Sequence, residues 1–422
     1  MVVKTVRGTS DILPQDIDTW QALELVSRNL LKAYDYSEIR TPIFEQAGLF
    51  QKSVGESTDI VSKEMYLFSD KKGRELALRP EGTASIVRSF IEHNMHTQPL
   101  PIKLYYVGPF FRYERPQAGR SRQFHQIGAE AIGVEDVKLD AEIIDIAIQI
   151  PTKMGIKNLK VMLNSIGCEE CRSKYVERLL GHLKSRIKKL CVDCKRRYST
   201  NPLRILDCKK PECIQNIKDG PTITENLCVK CRDKLDTVEK HISDLGIDYQ
   251  IQPYLVRGLD YYTGVIFEVI HSQLGAQNVV AAGGRYDNLI EQMGGKPTPA
   301  VGFAAGIERM IMLLADRNFQ NNNSVYLAYL DFPMDERVFA FLSALRQNGI
   351  HIKTTYQGKT LKNQLKTAAK SNCRFSLILG TNELSKGTVI LRNMETSTQE
   401  EIRLDKAVSI VEKKLVKESA LT

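Results

Sequence analysis

Two runs of β-favouring residues flank a loop carrying four arginines, and this pairing constrains the fold more than any other feature of the 422-residue chain. Lys103–Arg112 holds Leu104, Tyr105, Tyr106, Val107, Phe110 and Phe111, the side chains that suit a pleated strand. Gln117-Ala118-Gly119-Arg120 suits a hairpin loop, and Gln123–Ala129 reads as the returning strand. The spacing predicts an antiparallel hairpin with Arg112, Arg115, Arg120 and Arg122 gathered at one end. Guanidinium forks placed there can hold phosphate oxygens bidentately, and Phe124 can offer a ring face to a base. A solvated, charged hairpin is the other reading of these residues alone. Segments elsewhere in the chain decide between the two.

Several nucleotide-binding designs are excluded at once. There is no GxxxxGK[ST] loop, since MGGKPT at 293–298 lacks the spacing, and no GxGxxG lies between a strand and a helix. A nucleotide would therefore be held by side chains rather than by a glycine-rich loop and a helix dipole. No apolar run approaches the ~20 residues of a membrane span, and MVVKTVRGTSDILP lacks the apolar core of a signal peptide. Cytoplasmic residence, with no membrane contact, is the expectation. The net charge of +9 is unevenly spread: residues 168–234 hold 17 Lys/Arg against 9 Asp/Glu, and residues 325–422 hold 15 against 10. Two basic appendages suit a long polyanion such as nucleic acid, although a solvated basic surface has the same composition.

The chain is too long for one core. Helical spacing predicts Asp16–Tyr34, Gly82–Asn94 and Asp140–Met154, with strands over Leu76–Pro80 and Leu159–Asn164. Strand and turn signals resume from Tyr249 to about Asp316, and the polar stretch Asp316–Asn323 reads as a linker. Beyond it, strands at Ser324–Leu330, His351–Thr354, Arg374–Gly380 and Gly387–Arg392 alternate with helices at Asp335–Asn348, Leu361–Ser371 and Leu404–Leu415. That alternation predicts a small C-terminal α/β domain with a mixed sheet over 325–422, following a larger domain over 1–320.

Three further segments carry chemistry. In LRPEGTAS (78–85), Glu81 stands at a strand-to-helix junction, either to hold an ammonium or as an acid favoured by the helix dipole. In VRGLDYYTG (256–264), Arg257 precedes a pair of tyrosines, Tyr261 and Tyr262. In AVGFAAGIERM (300–310), small residues alternate with apolar ones before a helix opens at Glu308-Arg309, so that a strand and helix can approach closely beneath a ligand.

Taken together and in this order, these segments resemble the class II aminoacyl-tRNA synthetases. YSEIRTP (36–42), ending on Pro42, is similar to motif 1; FRYE…RQF (111–124) to motif 2; and AVGFAAGIER, ending on Arg309, to motif 3. The class I signatures HIGH and KMSKS are absent. LRPEGT, RQFHQIGAE, VRGLDYYTG and AAGGRYDNLI further resemble the segments that mark the histidyl-tRNA synthetase family, and the likeness covers essentially the whole chain. The resemblance implies an α+β catalytic domain, an antiparallel sheet flanked by helices, with a C-terminal anticodon-binding domain. It also implies a homodimer formed through the motif 1 region. L-histidine, ATP with Mg2+, and tRNA(His) would be its partners. It gives Arg257 and Arg112 the catalytic roles at the α-phosphate and counts both among the histidine-binding residues, with Arg112 at the substrate carboxylate. Glu81 would meet the α-ammonium beside Gly82 and Thr83; Gln126, Glu130, Tyr261 and Tyr262 would shape the histidine pocket. Arg112, Glu114, Phe124 and Arg309 would hold ATP, with Phe124 on adenine and Arg309 on the distal phosphates. A histidine-sensing paralogue without activity is the competing implication. Such proteins typically lack the anticodon domain and several site residues, whereas Glu81, Arg112, Arg257 and Arg309 are all present here.

Residues 168–240 depart from the family pattern, in which the insertion is mostly helical and metal-free. Eight of the nine cysteines lie here as Cys168/Cys171, Cys191/Cys194, Cys208/Cys213 and Cys228/Cys231. Three pairs have C-x2-C spacing, which in a cytoplasmic protein favours metal thiolates over disulfides. Two tetrahedral zinc sites, or ordinary buried thiols within recognisable family sequence (NPLRILDCK, 201–209), remain the alternatives.

Overall fold

The computed structural model describes residues 3–419 except 57, 318, 320–322, 331–333, 335 and 358. The hairpin forms as the alternation of apolar residues requires. Ile102–Phe111 pairs antiparallel with Gln123–Ile132, in register from Ile102 opposite Ile132 to Phe111 opposite Gln123. Its loop is longer than four residues. The Arg112 N–H donates to the Arg122 carbonyl at 2.9 Å, and a bridge between Gln117 and Arg120 closes the tip.

The hairpin lies within an eight-stranded sheet. The strand order is Ser37–Glu38, Ile102–Phe111, Gln123–Ile132, Ala300–Gly306, Val279–Arg285, Val265–Ile270, Lys160–Ser165 and Tyr249–Ile251. Its six central strands are antiparallel, as expected, but a parallel pair stands at each edge. The long helix Lys138–Lys153 buries Ile143, Ile144, Ile146, Ala147 and Ile150 against this sheet. A buried ion pair locks it there: the Arg285 Nε–H lies 3.1 Å from each oxygen of Asp140. The helix Ile17–Ala33 packs beside it. Helices thus take one face, and the residues of the expected site lie along the open part of the sheet. A separate three-stranded sheet, Phe44–Gln46, Glu75–Leu78 and Leu67–Ser69, carries the start of LRPEGT.

The cysteine-rich insertion is helical: Glu169–Lys184, Val192–Thr200, Pro211–Ile217 and Val229–Asp244. The boundary expected at 240 cuts through its closing helix. That helix buries Leu235, Val238 and Ile242 and packs on Lys138–Lys153, so apolar spacing carries it to Asp244.

The chain divides into two compact units, Met1–Asn318 and Phe319–Thr422. The second has a five-stranded mixed sheet ordered Ile352–Thr354, Val325–Tyr329, Phe375–Leu379, Thr388–Asn393 and Gln399–Arg403. The first three strands are parallel and the last two antiparallel. Two elements escaped the sequence reading, the short helix Thr381–Lys386 and the edge strand Gln399–Arg403. In the strand only Ile402 is buried, so it has no apolar alternation to detect. The last helix begins at Ala407, after a turn at Leu404–Lys406, rather than at Leu404. Residues 318 and 320–322 of the expected 316–323 linker lie outside the described residues.

Candidate active site

One cavity of about 820 Å³ opens over the hairpin, and all of the expected histidine- and ATP-binding residues except Glu130 line it. Glu81, Gly82, Thr83, Gln126, Tyr261 and Tyr262 stand among its walls together with Arg112, Glu114, Phe124, Arg257 and Arg309. Glu130 sits just behind, fully buried beneath Gly302.

The two ends of the cavity differ in chemistry. At one end, buried carboxylates are held by neutral donors. Glu81 Oε1 accepts the Ala84 N–H at 2.9 Å and Oε2 the Thr83 N–H at 2.8 Å. The helix-dipole reading of Glu81 and its pocket position therefore coexist, because the first turn of Thr83–Glu92 forms the pocket wall. Glu130 Oε1 accepts the Thr83 hydroxyl at 2.8 Å and Oε2 the Tyr286 hydroxyl at 2.6 Å. Burial pushes the Glu130 carboxyl up to about 8, against the pull of those two hydroxyls. Glu81 is also raised by burial, opposed by the two N–H groups at the helix start. Tyr261 stacks against Tyr262 at 4.8 Å and meets Tyr286 edge-on at 5.7 Å. Two buried polar atoms here lack a protein partner, Gln126 Oε1 and the Tyr106 hydroxyl. Leaving such groups unmatched costs about 1–3 kcal/mol each, which a ligand offering complementary hydrogen bonds recovers.

Glycine is required at two points of this end. A Cβ on Gly82 would lie 2.3 Å from the Tyr106 ring, and one on Gly302 would lie 1.6 Å from Glu130 Oε2. The small-residue pattern of AVGFAAG thus makes room for a carboxylate.

At the other end the cavity is ionic. The Arg112 Nε–H donates to the Pro80 carbonyl at 2.9 Å, and its guanidinium lies 5.3 Å from the centre of the Phe124 ring. Arg309 reaches across the hairpin loop, donating to the Gly119 carbonyl at 3.1 Å and to the Val279 carbonyl at 2.6 Å. Burial, then the charge of Arg120, and also those of Arg112 and Arg257, push the Arg309 guanidinium below its ordinary value. Like charges gathered in this way call for an anion between them. Glu114 pairs with Arg120 at 3.0 Å, and Arg257 is hydrogen-bonded to Glu268. The Arg257 Nε is buried without a partner.

Tyr106, Tyr286 and Glu268 are among the lining residues that went unassigned in the sequence. Each had a signal. Tyr106 stands opposite Gly128 in the hairpin register, Tyr286 lies within AAGGRYDNLI, and Glu268 is the one charge in the strand VIFEVI.

The cysteines resolve into two tetrads. Cys168, Cys171, Cys228 and Cys231 form one, and Cys191, Cys194, Cys208 and Cys213 the other, with the four sulfurs of each within 4.8 Å of one another. No cysteine is in a disulfide. Backbone N–H groups point at the sulfurs: Cys228 to Cys171 Sγ at 3.0 Å, and Cys191 to Cys213 Sγ at 3.3 Å. The N–H of Cys171 draws the Cys168 thiol down to about 7. Four soft sulfurs on the corners of a small polyhedron fit Zn2+, whose Zn–S bonds of about 2.3 Å imply S···S edges of about 3.8 Å. Cys168 and Cys171 lie at 3.6 Å, and Cys191 and Cys208 at 3.9 Å.

An antiparallel sheet with an arginine-bearing hairpin, a small-residue strand running into Arg309, and no glycine-rich phosphate loop is the core of a class II aminoacyl-tRNA synthetase. The sequence matches the Histidyl-tRNA synthetase family profile over residues 8–170 and 212–310, and an Anticodon binding domain profile over 324–414. It is 48% identical over 406 residues to the histidine–tRNA ligase of Syntrophotalea carbinolica, covering 96% of this chain and 97% of that one. It is 46% identical to the enzyme of Halothermothrix orenii, covering 98% of this chain and all of that one. The crystal structure of apo S. aureus histidyl-tRNA synthetase superposes with a TM-score of 0.82 at 37% identity, over 97% of this chain and 100% of that one. The chain belongs to the histidyl-tRNA synthetase family.

Proposed function

We propose that the cavity holds both small substrates at once, histidine at the tyrosine-lined end and ATP at the arginine-lined end. The family charges tRNA(His) with histidine, and this chain catalyses that reaction. The histidine carboxylate attacks the α-phosphorus of ATP, the bond to pyrophosphate breaks, and histidyl-adenylate forms. The histidyl group then passes to a hydroxyl of the terminal ribose of tRNA, releasing AMP. Positioning and stabilisation of developing negative charge supply most of the rate, and no nucleophilic side chain is needed.

In this reading Arg112 and Arg257 are the catalytic residues, stabilising charge on the α-phosphate where the carboxylate attacks. Glu81 meets the α-ammonium, with Gly82 and Thr83 bordering it, and Gln126, Glu130, Tyr261 and Tyr262 enclose the imidazole. Phe124 faces adenine, while Glu114 and Arg309 bound the rest of the nucleotide. ATP enters with Mg2+, which shields phosphate charge; Glu114 and Glu268 offer the hard carboxylate oxygens that would hold it. The observation that carries this division is the pair of orphaned atoms, Gln126 Oε1 and Tyr106 Oη, at one end of a cavity whose other end gathers guanidinium groups. Histidine-dependent ATP–pyrophosphate exchange tests it. The intact protein should exchange, and Arg257→Ala should lower kcat by roughly 10²–10³-fold. No exchange by the intact protein, or full exchange by the variant, would overturn the assignment.

The coarser partners extend in four ways. Each cysteine tetrad holds a structural Zn2+, supported by the sulfur geometry and by the composition of the insertion. The helix Val192–Thr200 buries only Cys194. Structural zinc sites contribute ~10 kcal/mol or more in small peptides, enough to offset so thin a core. Two zinc equivalents in protein purified without added metal are expected; fewer than one would count against both sites. The chain forms a homodimer through the motif 1 region. Ile43, Phe44, Leu67 and Phe68 are exposed on the three-stranded sheet next to it, and light scattering should give twice the 47.8 kDa chain mass. The insertion leans on the tRNA acceptor arm and the C-terminal unit binds the anticodon, consistent with their basic balance. Residence is cytoplasmic, in keeping with nine cysteines free of disulfides and with the lack, among the described residues, of a helix long and apolar enough to cross a membrane.

A further inference from the structure

A second, smaller cavity of about 230 Å³ adjoins the first. Its lining comes mainly from the 256–262 segment of the catalytic body and from Arg172, Val176 and residues 200–204 of the insertion. Arg257, Leu259 and Tyr262 line both cavities, so the two share a wall. Nothing in the proposed reaction uses this second space. Sites for drug-sized ligands run from about 300 Å³ upward, so its size suits a small ion or acid rather than a nucleotide.

The lining is cationic. Arg172, Arg204 and Arg257 stand there against one carboxylate, Asp260. Asp260 Oδ1 accepts the Asn201 side-chain amide at 2.9 Å, and a Cβ on Gly55 would lie 2.5 Å from Oδ2. Arg204 is only 7% exposed, yet its Nε and Nη1 have no protein partner. Its Nη2 lies 3.4 Å from Asp59 Oδ2, on a carboxylate that Arg197 and Lys63 also reach, at 2.7 and 3.2 Å. A Cβ on Gly258 would lie 3.5 Å from Arg204 Nη1, so that nitrogen sits against the loop bearing Arg257. Arg172 gives one N–H to the Tyr262 carbonyl at 2.5 Å and leaves its Nε unmatched. Arg257, hydrogen-bonded to Glu268, leaves its Nε unmatched as well. Three guanidinium groups thus bring four buried, unmatched nitrogens to one small cavity. Buried donors call for acceptors, and like charges gathered together call for an anion.

We propose that this cavity is a regulatory site for a small oxyanion, phosphate or a carboxylate, which binds between Arg204, Arg172 and Arg257 and slows adenylate formation. Guanidinium forks match such oxygens bidentately. An anion held there gives Arg257 a second claimant, so that less of its charge serves the negative charge developing at the α-phosphate in the transition state. The anion does not occupy the ATP end, and it lowers kcat rather than competing with the nucleotide. The binding part of this inference stands on the second cavity alone; the slowing rests on the catalytic reading of Arg257 given above.

Two measurements on the full-length protein test the two parts. In histidine-dependent ATP–pyrophosphate exchange at constant ionic strength, ~20 mM phosphate should lower kcat by roughly three- to tenfold, a fraction of what deleting a transition-state donor costs. Any competition by phosphate at the ATP end shows separately, as a rise in the KM for ATP. Acetate in place of phosphate reads the source: an equal fall in kcat extends the site to carboxylates, and no fall assigns it to phosphate. Arg204→Gln, read against its own phosphate-free rate, should lose the fall in kcat and keep any rise in KM. Equilibrium dialysis of the wild type against radiolabelled phosphate, with histidine and a non-hydrolysable ATP analogue filling the larger cavity, should find one equivalent bound. No bound phosphate there overturns the site, whether or not Arg204→Gln folds. Inhibition that only raises the KM for ATP overturns the link to Arg257, and an undiminished fall in kcat in Arg204→Gln overturns the location. Full exchange by Arg257→Ala would overturn the catalytic reading and the slowing with it, while phosphate bound in the dialysis would still establish the site.

Discussion

The histidine end and the nucleotide end of the cavity solve opposite problems. At the histidine end the ionisable groups are few, deeply buried and already matched: the Glu81 oxygens lie against two backbone N–H groups, and the Glu130 oxygens against two hydroxyls. At the nucleotide end the charged groups are many and provisionally matched. Arg257 lies on Glu268, Arg120 on Glu114, and Arg309 on two backbone carbonyls. A preformed, neutralised pocket suits discrimination, since a wrong side chain leaves buried polar atoms unpaired. A set of exchangeable ion pairs suits a polyanion, since each arginine can trade a local acceptor for a phosphate oxygen of equal or greater charge. The difference implies that specificity is fixed in the sheet while charge stabilisation is assembled as ATP arrives.

The strongest attempt to break this comparison is Glu130→Gln. It keeps the shape of the side chain but presents an amide to Tyr286 and Thr83. If the pocket discriminates through these bonds, kcat/KM for histidine falls by roughly 10²-fold while the KM for ATP stays within about twofold. Equal losses on both substrates, read from exchange kinetics, would mean that the two ends are not separable.

A smaller effect distinguishes them by salt. Partly exposed ion pairs and phosphate contacts weaken as ionic strength rises, whereas the buried, neutral-donor bonds of the histidine end do not. Between 50 and 300 mM KCl, the KM for ATP should rise by about three- to tenfold and that for histidine by less than twofold. Parallel rises would sink the distinction.

The two ends were also unequally legible. The nucleotide end could be read from sequence because arginines in a hairpin loop and at a strand-to-helix junction are local features, and residues 108–124 and 300–309 carry them in short spans. Glu81, Glu130, Tyr261 and Tyr262 were found through segment resemblance, but what holds them was not. Thr83 and Tyr286 meet on Glu130 from positions 47 and 156 residues away, and no local pattern records such convergence. The cysteines followed the same rule. C-x2-C spacing marked the ligands, yet the assortment of outer pairs with outer and inner with inner needed the helices Glu169–Lys184 and Val229–Asp244 to come together.

The smallest expected effect separates the ends by pH. Glu130 has an ordinary value of 4.5 and is raised to about 8 by burial. Between those values the folded protein keeps a proton that the unfolded chain releases, so this group makes stability fall as pH rises from about 4.5 to about 8; outside that window it contributes no slope. The arginines opposite remain charged on both sides of unfolding and add none. Thermal unfolding of the ligand-free protein, compared with Glu130→Gln from pH 5 to 9, should therefore show the wild type losing ~2–4 °C relative to the variant as pH rises. Most of that change should fall below pH 8, with the curves running parallel above it. A constant difference across the range would mean that Glu130 is ionised in the folded protein at neutral pH. The histidine end would then be as ionic as its neighbour, and the contrast between the two would lie only in which partners each charge has.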